Sequence, residues 1–243
     1  MNTPPPSLQA LIDAEDLPPQ RKFAINKGHW LRWLGHIDPL SAAIEQIPDQ
    51  VDRTDVARFV TDNLGSNTPG AFVAAMAWGH GSSNYGPYRT AYILTESRVR
   101  GSAGLSSRSV SRLDKATEIA ANDGPARGFY YLNNDGKIAG LGPAFFTKWL
   151  YFVTTQDGRN VESTAPILDE EVMRWLREHN VPRLRYAKTP SYEKYMELLR
   201  HWGSTRSGGD ALTAADVEER IFRLIRNDGA TPQRQDPTHG SQR

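Results

Sequence analysis

Two glycines that flank one apolar residue form the turn of this chain that is best suited to bind a ligand. Gly140 and Gly142 lie on either side of Leu141, and the sequence from Pro143 to Phe152 continues as an apolar, aromatic-rich helix. Glycine allows the backbone to approach a ligand closely, and the first N–H groups of a helix have no partner within it. Because such a helix start binds anions, the sequence predicts a phosphate-binding turn here.

This turn, together with an aspartate that follows it, resembles a known arrangement. Residues 140–152 are similar to the hairpin of the helix-hairpin-helix DNA glycosylases, in which a Gly-apolar-Gly turn leads into an apolar second helix. Residues 167–172 are similar to a second feature of that superfamily, an aspartate that follows an apolar pair at the start of another helix. The wider sequence resembles the bacterial branch with the 8-oxoguanine glycosylase fold, most strongly over residues 75–180.

The resemblance implies an enzyme that flips a modified base out of duplex DNA and cleaves its N-glycosidic bond. The matching aspartate is Asp169, which becomes the predicted catalytic carboxylate. The transition state of such a reaction has oxocarbenium character, which a nearby carboxylate stabilises. The structural alternative is that Asp169 is only a helix N-cap, worth about 1 kcal/mol, and the two roles are compatible.

The position of a lysine nucleophile departs from the family pattern. In bifunctional members a lysine follows the second hairpin glycine by two positions, where this chain has Ala144. Lys148 lies one helical turn further along, on the same face. An unperturbed lysine, with a pKa of about 10.4, is neutral in only about one molecule in 2,500 at pH 7. Lys148 is therefore predicted either as a nucleophile activated by burial or as an exposed helical lysine, in which case Asp169 would activate water.

A helical projection divides residues 144–153 into two sides. One broad side is apolar and aromatic, and Phe145 belongs to it. The other side is predicted to line a cleft, and it carries Ala144, Thr147, Lys148 and Tyr151.

A second stretch supplies candidates for the pocket that would receive a flipped base. Residues 79–89 combine three glycines with small polar residues and two tyrosines, which predicts an exposed loop with an unusual backbone. By the resemblance, an equivalent segment contributes to the base pocket. The alternative is an ordinary loop after a helix C-cap. The residues predicted to contact the base are His80, Asn84, Tyr85 and, from the hairpin helix, Tyr151.

Positive charge is unevenly distributed, although the formal net charge is only +1. Residues 85–115 carry six basic and two acidic side chains, and residues 174–200 carry seven basic and three acidic ones. Either excess could form a surface that faces phosphates, or simply a solvated helix face. The residues predicted to contact DNA are Arg89, Arg98, Arg100, Gly140, Gly142 and Ala144.

Composition excludes several other classes of protein. The 243 residues include no cysteine, so disulfides, thiolate metal sites and an iron–sulfur cluster are ruled out. No His-x-x-x-His pair, P-loop, dinucleotide fingerprint or Gly-x-Ser-x-Gly elbow occurs, and we predict neither a metal nor a cofactor. The sequence has no long apolar stretch and no signal-peptide pattern at its start, which favours a cytoplasmic protein.

We predict a mainly α fold, a helical bundle of the helix-hairpin-helix glycosylase type in which two helical lobes could enclose a cleft. The predicted organisation is an N-terminal arm (residues 1–20), a helical domain (21–226) with its catalytic region at 75–180, and a disordered tail (227–243). A turn signal at residues 133–136 falls where the first hairpin helix should lie, so that helix is predicted to be very short.

The leading functional prediction is a monomeric glycosylase that acts on double-stranded DNA containing a modified base, 8-oxoguanine by resemblance. One alternative is a glycosylase for hypermodified phage bases in antiviral defence. Others are a catalytically inactive DNA-binding protein of the same fold and a helical protein-interaction module. A wedge residue that fills the gap left by the flipped base is also expected, but the sequence offers no candidate for it.

Overall fold

The computed structural model describes residues 3–17, 20–156, 158–181 and 184–228. Within these ranges the fold is mainly α, as predicted, with twelve helices and one short antiparallel sheet. The predicted tail lies outside the described residues from position 229 onward. The helices are α1 Pro6–Asp13, α2 Lys27–Leu34, α3 Asp38–Gln46, α4 Arg53–Asn63, α5 Thr68–His80, α6 Tyr85–Thr95, α7 Ser107–Asp123, α8 Pro125–Asn133, α9 Pro143–Thr154, α10 Glu170–Glu178, α11 Thr189–Gly203 and α12 Ala214–Asp228.

The small sheet joins two chain segments near the N-terminus. Strand β1 (Phe23–Ala24) pairs antiparallel with β2 (Gln50–Val51), so that Phe23 faces Val51 across the ladder. Strand β2 leads directly into α4, whose start is fixed by a capping box. The Asp52 side chain accepts from the N–H of Asp55, and the Asp55 side chain accepts from the N–H of Asp52. Asp52 is therefore the N-cap of α4.

Helices α5 and α9 form the centre of the molecule. Helix α5 is buried from Thr68 to Trp78, and α9 is buried from Phe146 to its last residue. Their aromatic side chains meet edge to face, as in the pairs Phe72–Trp149 and Trp78–Phe152. Helices α4, α7 and α8 also pack on α9, so α9 has no solvent-facing side beyond its first turn.

Helices α8 and α9 form the hairpin that the sequence predicted. Helix α8 has nine residues and ends at Asn133, and the two helices pack against each other. The prediction of a very short first helix is therefore wrong. The turn signal at residues 134–136 ends α8 rather than replacing it, because the residues before it, from Pro125 onward, already form the helix.

A buried ion pair ties the C-terminal helix to the central helices. Arg53 at the start of α4 donates to both carboxylate oxygens of Glu218 on α12, at 2.8 and 3.1 Å. Aromatic rings surround its guanidinium, with that of Tyr151 4.7 Å away. Helix α1 also packs on α12, where Arg220 donates to the carbonyl oxygen of Leu11 at 2.8 Å. No helix within the described ranges is both long and apolar enough to span a membrane.

Candidate active site

The central feature of the site is an ion pair between Lys148 on α9 and Asp169 at the start of α10. Lys148 Nζ lies 2.6 Å from Asp169 Oδ2, and the two side chains are 8% and 17% exposed. The structure therefore brings together the two residues that the sequence analysis named as candidate catalytic groups. It also rules out the alternative that Lys148 is an exposed helical lysine, because the side chain is buried.

The two oxygens of the Asp169 carboxylate have different partners. Oδ1 accepts from the backbone N–H groups of Glu171 and Val172, at 3.1 and 3.0 Å, and so caps α10. Oδ2 remains directed at Lys148. Burial raises the pKa of Asp169, but the Lys148 charge and the two N–H donors outweigh it and hold the pKa below its usual range. Asp169 is therefore ionised at neutral pH and serves as cap and counter-ion together.

Buried hydroxyl groups place Asp169 beside α9. The Thr147 hydroxyl accepts from the N–H of Leu168 at 3.2 Å and lies 3.3 Å from the Leu168 carbonyl oxygen. On the other side of the segment, Tyr192 and Tyr195 of α11 donate to the carbonyl oxygens of Pro166 and Ile167, at 2.8 and 2.9 Å. The extended segment before α10 is thus held on both sides, and Asp169 has little freedom to move away from Lys148.

Lys148 reaches back along its own helix toward the glycine turn. Its Nζ donates to the carbonyl oxygen of Ala144 at 3.0 Å, one turn earlier in α9. Long helical side chains point toward the helix N-terminus, which is the physical reason for this direction. The amine therefore lies near the backbone of Ala144, the position at which the related bifunctional enzymes were expected to carry their lysine.

The ring of Phe145 covers the other side of the lysine. The His80 ring stacks on it with a centroid distance of 4.1 Å, and the Arg89 guanidinium lies 4.6 Å from its centroid. Lys148 Nζ is 5.5 Å from the same centroid. Residues from α5, α6 and α9 thus converge on one ring, and this cluster contains three of the predicted site residues, His80, Arg89 and Lys148.

His80 is held in its neutral form. Burial, assisted by the positive charges of Arg89 and Lys148, lowers the pKa of His80 to about 4. Its Nε2 atom is buried and has no hydrogen-bond partner among the described residues. A neutral imidazole with a free ring nitrogen can accept or donate one hydrogen bond, according to its tautomer.

Arg89 holds the glycine turn in place, and the turn has a left-handed backbone at Gly140. Gly140 has a φ of +84°, a conformation that favours glycine, and its carbonyl oxygen accepts from Arg89 Nε at 2.8 Å. The Tyr92 ring lies so close that a Cβ on Gly140 would be 2.9 Å from it. Gly142 is the N-cap residue of α9, with Pro143 in its first turn. The start of α9 therefore lies directly beside the Arg89 guanidinium.

A family model matches the chain over residues 16–222, which is most of its length and includes every residue of this site. The family is described as "Putative 8-oxoguanine DNA glycosylase OGG-like protein". The chain belongs to this family. Neither the curated proteins nor the solved structures gave a match.

Three side-chain assignments on α9 of this OGG-like protein need correction. Thr147, predicted to line a cleft, is fully buried and bonded to Leu168. Tyr151, predicted to contact the base, is 2% exposed and packs against Arg53 and Phe152 in the interior. Phe145, placed on the core side by the helical projection, is only partly buried and faces the site. The reason is that α9 is enclosed on nearly all sides, so a division into an apolar and a cleft side does not apply to it.

The remaining predicted residues lie at the surface. Asn84 and Tyr85 are exposed where α6 begins, because the expected loop at residues 79–89 is mostly helical and only residues 81–84 connect α5 to α6. Arg98 and Arg100 are exposed in the connection from α6 to α7. These residues do not join the Lys148–Asp169 cluster, and their predicted contacts with DNA stay predictions.

Tyr186 and Gly79 also belong to the site of this OGG-like protein, although no pattern in the sequence indicates them. Burial and the charge of Asp169 raise the pKa of Tyr186, whose hydroxyl also lies near the backbone of Ala144. Gly79 is the helical residue against which the Lys148 side chain lies, and a Cβ there would be 2.8 Å from Lys148 Cδ. Only the three-dimensional contact reveals either residue, because no sequence spacing connects them to the hairpin.

Proposed function

We propose that this OGG-like protein is a DNA glycosylase in which Lys148 is the nucleophile and Asp169 its carboxylate partner. The observation that supports this most directly is the 2.6 Å contact between Lys148 Nζ and Asp169 Oδ2. The contact lies beside the start of the hairpin helix, which is where an enzyme of this superfamily was expected to carry both groups. No similar argument supports a protein-interaction module.

The reaction begins with removal of a proton from the Lys148 ammonium, for which Asp169 is the adjacent acceptor. The free amine attacks C1′ of the flipped nucleotide, and the C1′–N bond breaks as the new C–N bond forms. The base leaves with the bonding electron pair and takes up the proton that Asp169 accepted, which restores the Asp169 carboxylate. The Asp169 carboxylate stabilises the positive charge that develops on the sugar, and its burial strengthens this interaction. The attached nitrogen then gives up a proton, the C1′–O4′ bond breaks as the ring oxygen is protonated, and a Schiff base forms between C1′ and Lys148.

The turn and helix start at residues 140–144 would bind a phosphate of the DNA backbone. The positive end of the α9 dipole attracts an anion, and the Arg89 guanidinium beside Gly140 adds a positive charge. Such a contact positions the duplex without reading its sequence. It would hold the backbone next to the nucleotide whose sugar meets Lys148.

The base itself would lie against the ring of Phe145 and the free ring nitrogen of His80. An aromatic face stacks on any base, while a neutral imidazole can hydrogen-bond to a base edge. The description of the family makes 8-oxoguanine the first base to test.

A panel of duplexes, each with one modified base, tests the proposed function. After incubation with the protein, alkali cleaves the strand wherever a base has been removed. We expect cleavage of at least one modified duplex and none of the unmodified control. The Asp169→Asn variant, which keeps the helix cap, is expected to lose at least about a hundredfold in rate. DNA binding without excision across the panel would instead indicate a DNA-binding protein that lacks the activity.

A further inference from the structure

One face of α6 carries three tyrosines and an arginine at the surface, and we call this face the aromatic row. Tyr85, Tyr88, Arg89 and Tyr92 are spaced i, i+3, i+4 and i+7, which places them on one side of the helix. All four are exposed or partly exposed, whereas the residues of α6 between them are buried. Tyr85, at the start of the row, is 56% exposed. Adjoining aromatic side chains at a surface mark a place where a partner binds.

The rings of the row are held in place by contacts with one another and with α2. The ring centroids of Tyr85 and Tyr88 are 5.5 Å apart, and that of Trp33 on α2 lies 5.2 Å from Tyr88. Trp33 is itself only partly buried. Because the rings already restrict each other, a ligand that stacks on them loses less free energy in ordering the side chains.

The aromatic row passes directly beside the glycine turn. Arg89 donates to the Gly140 carbonyl oxygen at 2.8 Å, and its guanidinium lies 4.6 Å from the centroid of the Phe145 ring. The Tyr92 ring is the group that a Cβ on Gly140 would meet at 2.9 Å. Tyr85 lies one helical turn before Arg89 on the same face. The row is therefore continuous with the turn to which we assign phosphate binding.

The charge and the length of the row both suit a strand of nucleic acid. Residues 79–95 include no acidic side chain, and the Arg98 guanidinium, 5.2 Å from the Tyr92 ring centroid, adds a second positive charge to that of Arg89. At about 1.5 Å per residue, the row extends about 10 Å from Tyr85 to Tyr92. Nucleotides stacked in one strand are about 3.4 Å apart, so about three of them match this length.

We propose that the aromatic row binds unpaired nucleotides of the DNA strand that enters the Lys148–Asp169 site. Inside a duplex both faces of every base are already stacked, so the exposed rings can receive only bases that have left the duplex. Stacking of bases on aromatic rings beside cations is the chemistry by which proteins bind single strands without reading their sequence. The inference rests on the proposed function in one respect, the substrate class: the enzyme acts on modified bases in DNA that is single-stranded next to the target.

Fluorescence anisotropy of a labelled oligothymidylate tests the row without requiring catalysis. The wild type should bind it, and Tyr85→Ala should bind at least about fivefold more weakly, while Tyr85→Phe keeps the ring and the affinity. Tyr130→Ala is the matched control. Tyr130 lies on α8, is 40% exposed and has the Arg127 guanidinium 5.5 Å from its ring centroid. This variant should bind as the wild type does.

A fully paired, unmodified duplex provides the comparison ligand. Its affinity should change less than about twofold in Tyr85→Ala, because a duplex offers no free base to the ring. The proposal is overturned if the wild type does not bind the oligothymidylate, if Tyr85→Ala binds it as tightly as the wild type, or if this variant loses affinity equally for both ligands.

Excision kinetics give a second readout, with the modified base placed either in a full duplex or beside a single-stranded gap. Unpaired neighbours ease extrusion of the base by themselves. The informative quantity is therefore the ratio of the two rates, which Tyr85→Ala should lower at least about threefold relative to the wild type. An unchanged ratio contradicts the proposal. If the wild type removes no base from either DNA, the proposed function fails, while binding of the oligothymidylate still decides the role of the row.

Discussion

Lys148 and Asp169 are 21 residues apart in the chain, yet Lys148 Nζ lies 2.6 Å from Asp169 Oδ2. Two structural features bring these atoms together. The lysine side chain reaches back toward the start of α9, and Thr147 ties the segment before Asp169 to the same helix. A lysine that sits one turn beyond the family position can thus bring its amine back to the glycine turn.

Substitution of Asp169 should separate its charge from its capping role. Asp169→Asn keeps an N-cap acceptor but leaves a buried ammonium without a counter-ion, so we expect a loss of about 3 kcal/mol in the free energy of unfolding. Asp169→Ala should lower the free energy of unfolding by about 1 kcal/mol more, because it also removes the N-cap of α10. Urea unfolding measures both values.

The double variant Lys148→Met/Asp169→Asn provides the matched control. Removing both charges should make it more stable than Asp169→Asn alone, since no unpaired buried charge remains. If Asp169→Asn is as stable as the wild type, the ion pair does not have the role assigned to it.

Gly79 should be required for the position of Lys148. An alanine normally stabilises a helix by about 1 kcal/mol relative to glycine. At residue 79, however, the added Cβ would lie 2.8 Å from Lys148 Cδ and push the lysine away from Asp169. We expect Gly79→Ala to reduce excision at least about tenfold while the protein stays folded.

Gly28 on α2 offers the comparison for that experiment. A Cβ there would meet only the Asn26 side chain at 3.5 Å, which is ordinary contact. Gly28→Ala should therefore keep full excision activity and match or slightly exceed the wild type in stability. Equal activity in both alanine variants would show that Gly79 does not control the lysine.

Arg89 should contribute to DNA binding through both its charge and its shape. Arg89→Gln removes a cation, so the slope of log affinity against log salt should fall by about one. Arg89→Lys keeps the charge, but one ammonium cannot reproduce the planar group that bonds to Gly140 and covers Phe145. It should bind duplex DNA more weakly with nearly the wild-type slope. An unchanged slope in Arg89→Gln would place this residue away from the phosphates.

The stability of the protein should depend on pH through His80. Its pKa falls from about 6.5 in the unfolded chain to about 4 in the fold. The unfolded chain therefore binds the extra proton first as the pH drops. The contribution of neutral His80 to the free energy of unfolding is complete above pH ~6.5 and is lost as the pH falls from ~6.5 to ~4. Asp169, whose pKa is held low, contributes its own loss only below about pH 4.

The His80→Phe variant isolates the histidine contribution because its ring can still stack on Phe145. Between pH 7 and pH 5, its free energy of unfolding should change less than that of the wild type, by on the order of 1 kcal/mol. Urea unfolding at the two pH values measures the difference. An identical change in both proteins would mean that His80 is not buried as a neutral group.

Local signals in the sequence were sufficient for several features of the site. The two glycines of the turn and the capping residue Asp169 depend on interactions within a few residues, so their roles follow from spacing. Interactions between residues that are close in the sequence can be predicted from the spacing of those residues.

Features that depend on packing could not be predicted in this way. Tyr151 was assigned to the base pocket and Phe145 to the core, since a helical projection assumes one buried and one open side. Helix α9 is enclosed by several helices, and that enclosure is known only once the chain is folded. The hydroxyl contacts that hold Asp169 and the space left by Gly79 are likewise long-range.

Borohydride trapping with the duplex identified in the panel is the most direct test of the account. Reduction converts a lysine Schiff base into a permanent protein–DNA bond, which a denaturing gel separates from free DNA. We predict a trapped adduct with the wild type and none with Lys148→Gln, which removes the amine. If Lys148→Gln still forms the adduct, or if it removes the base at the wild-type rate, Lys148 is not the nucleophile and the central claim is wrong.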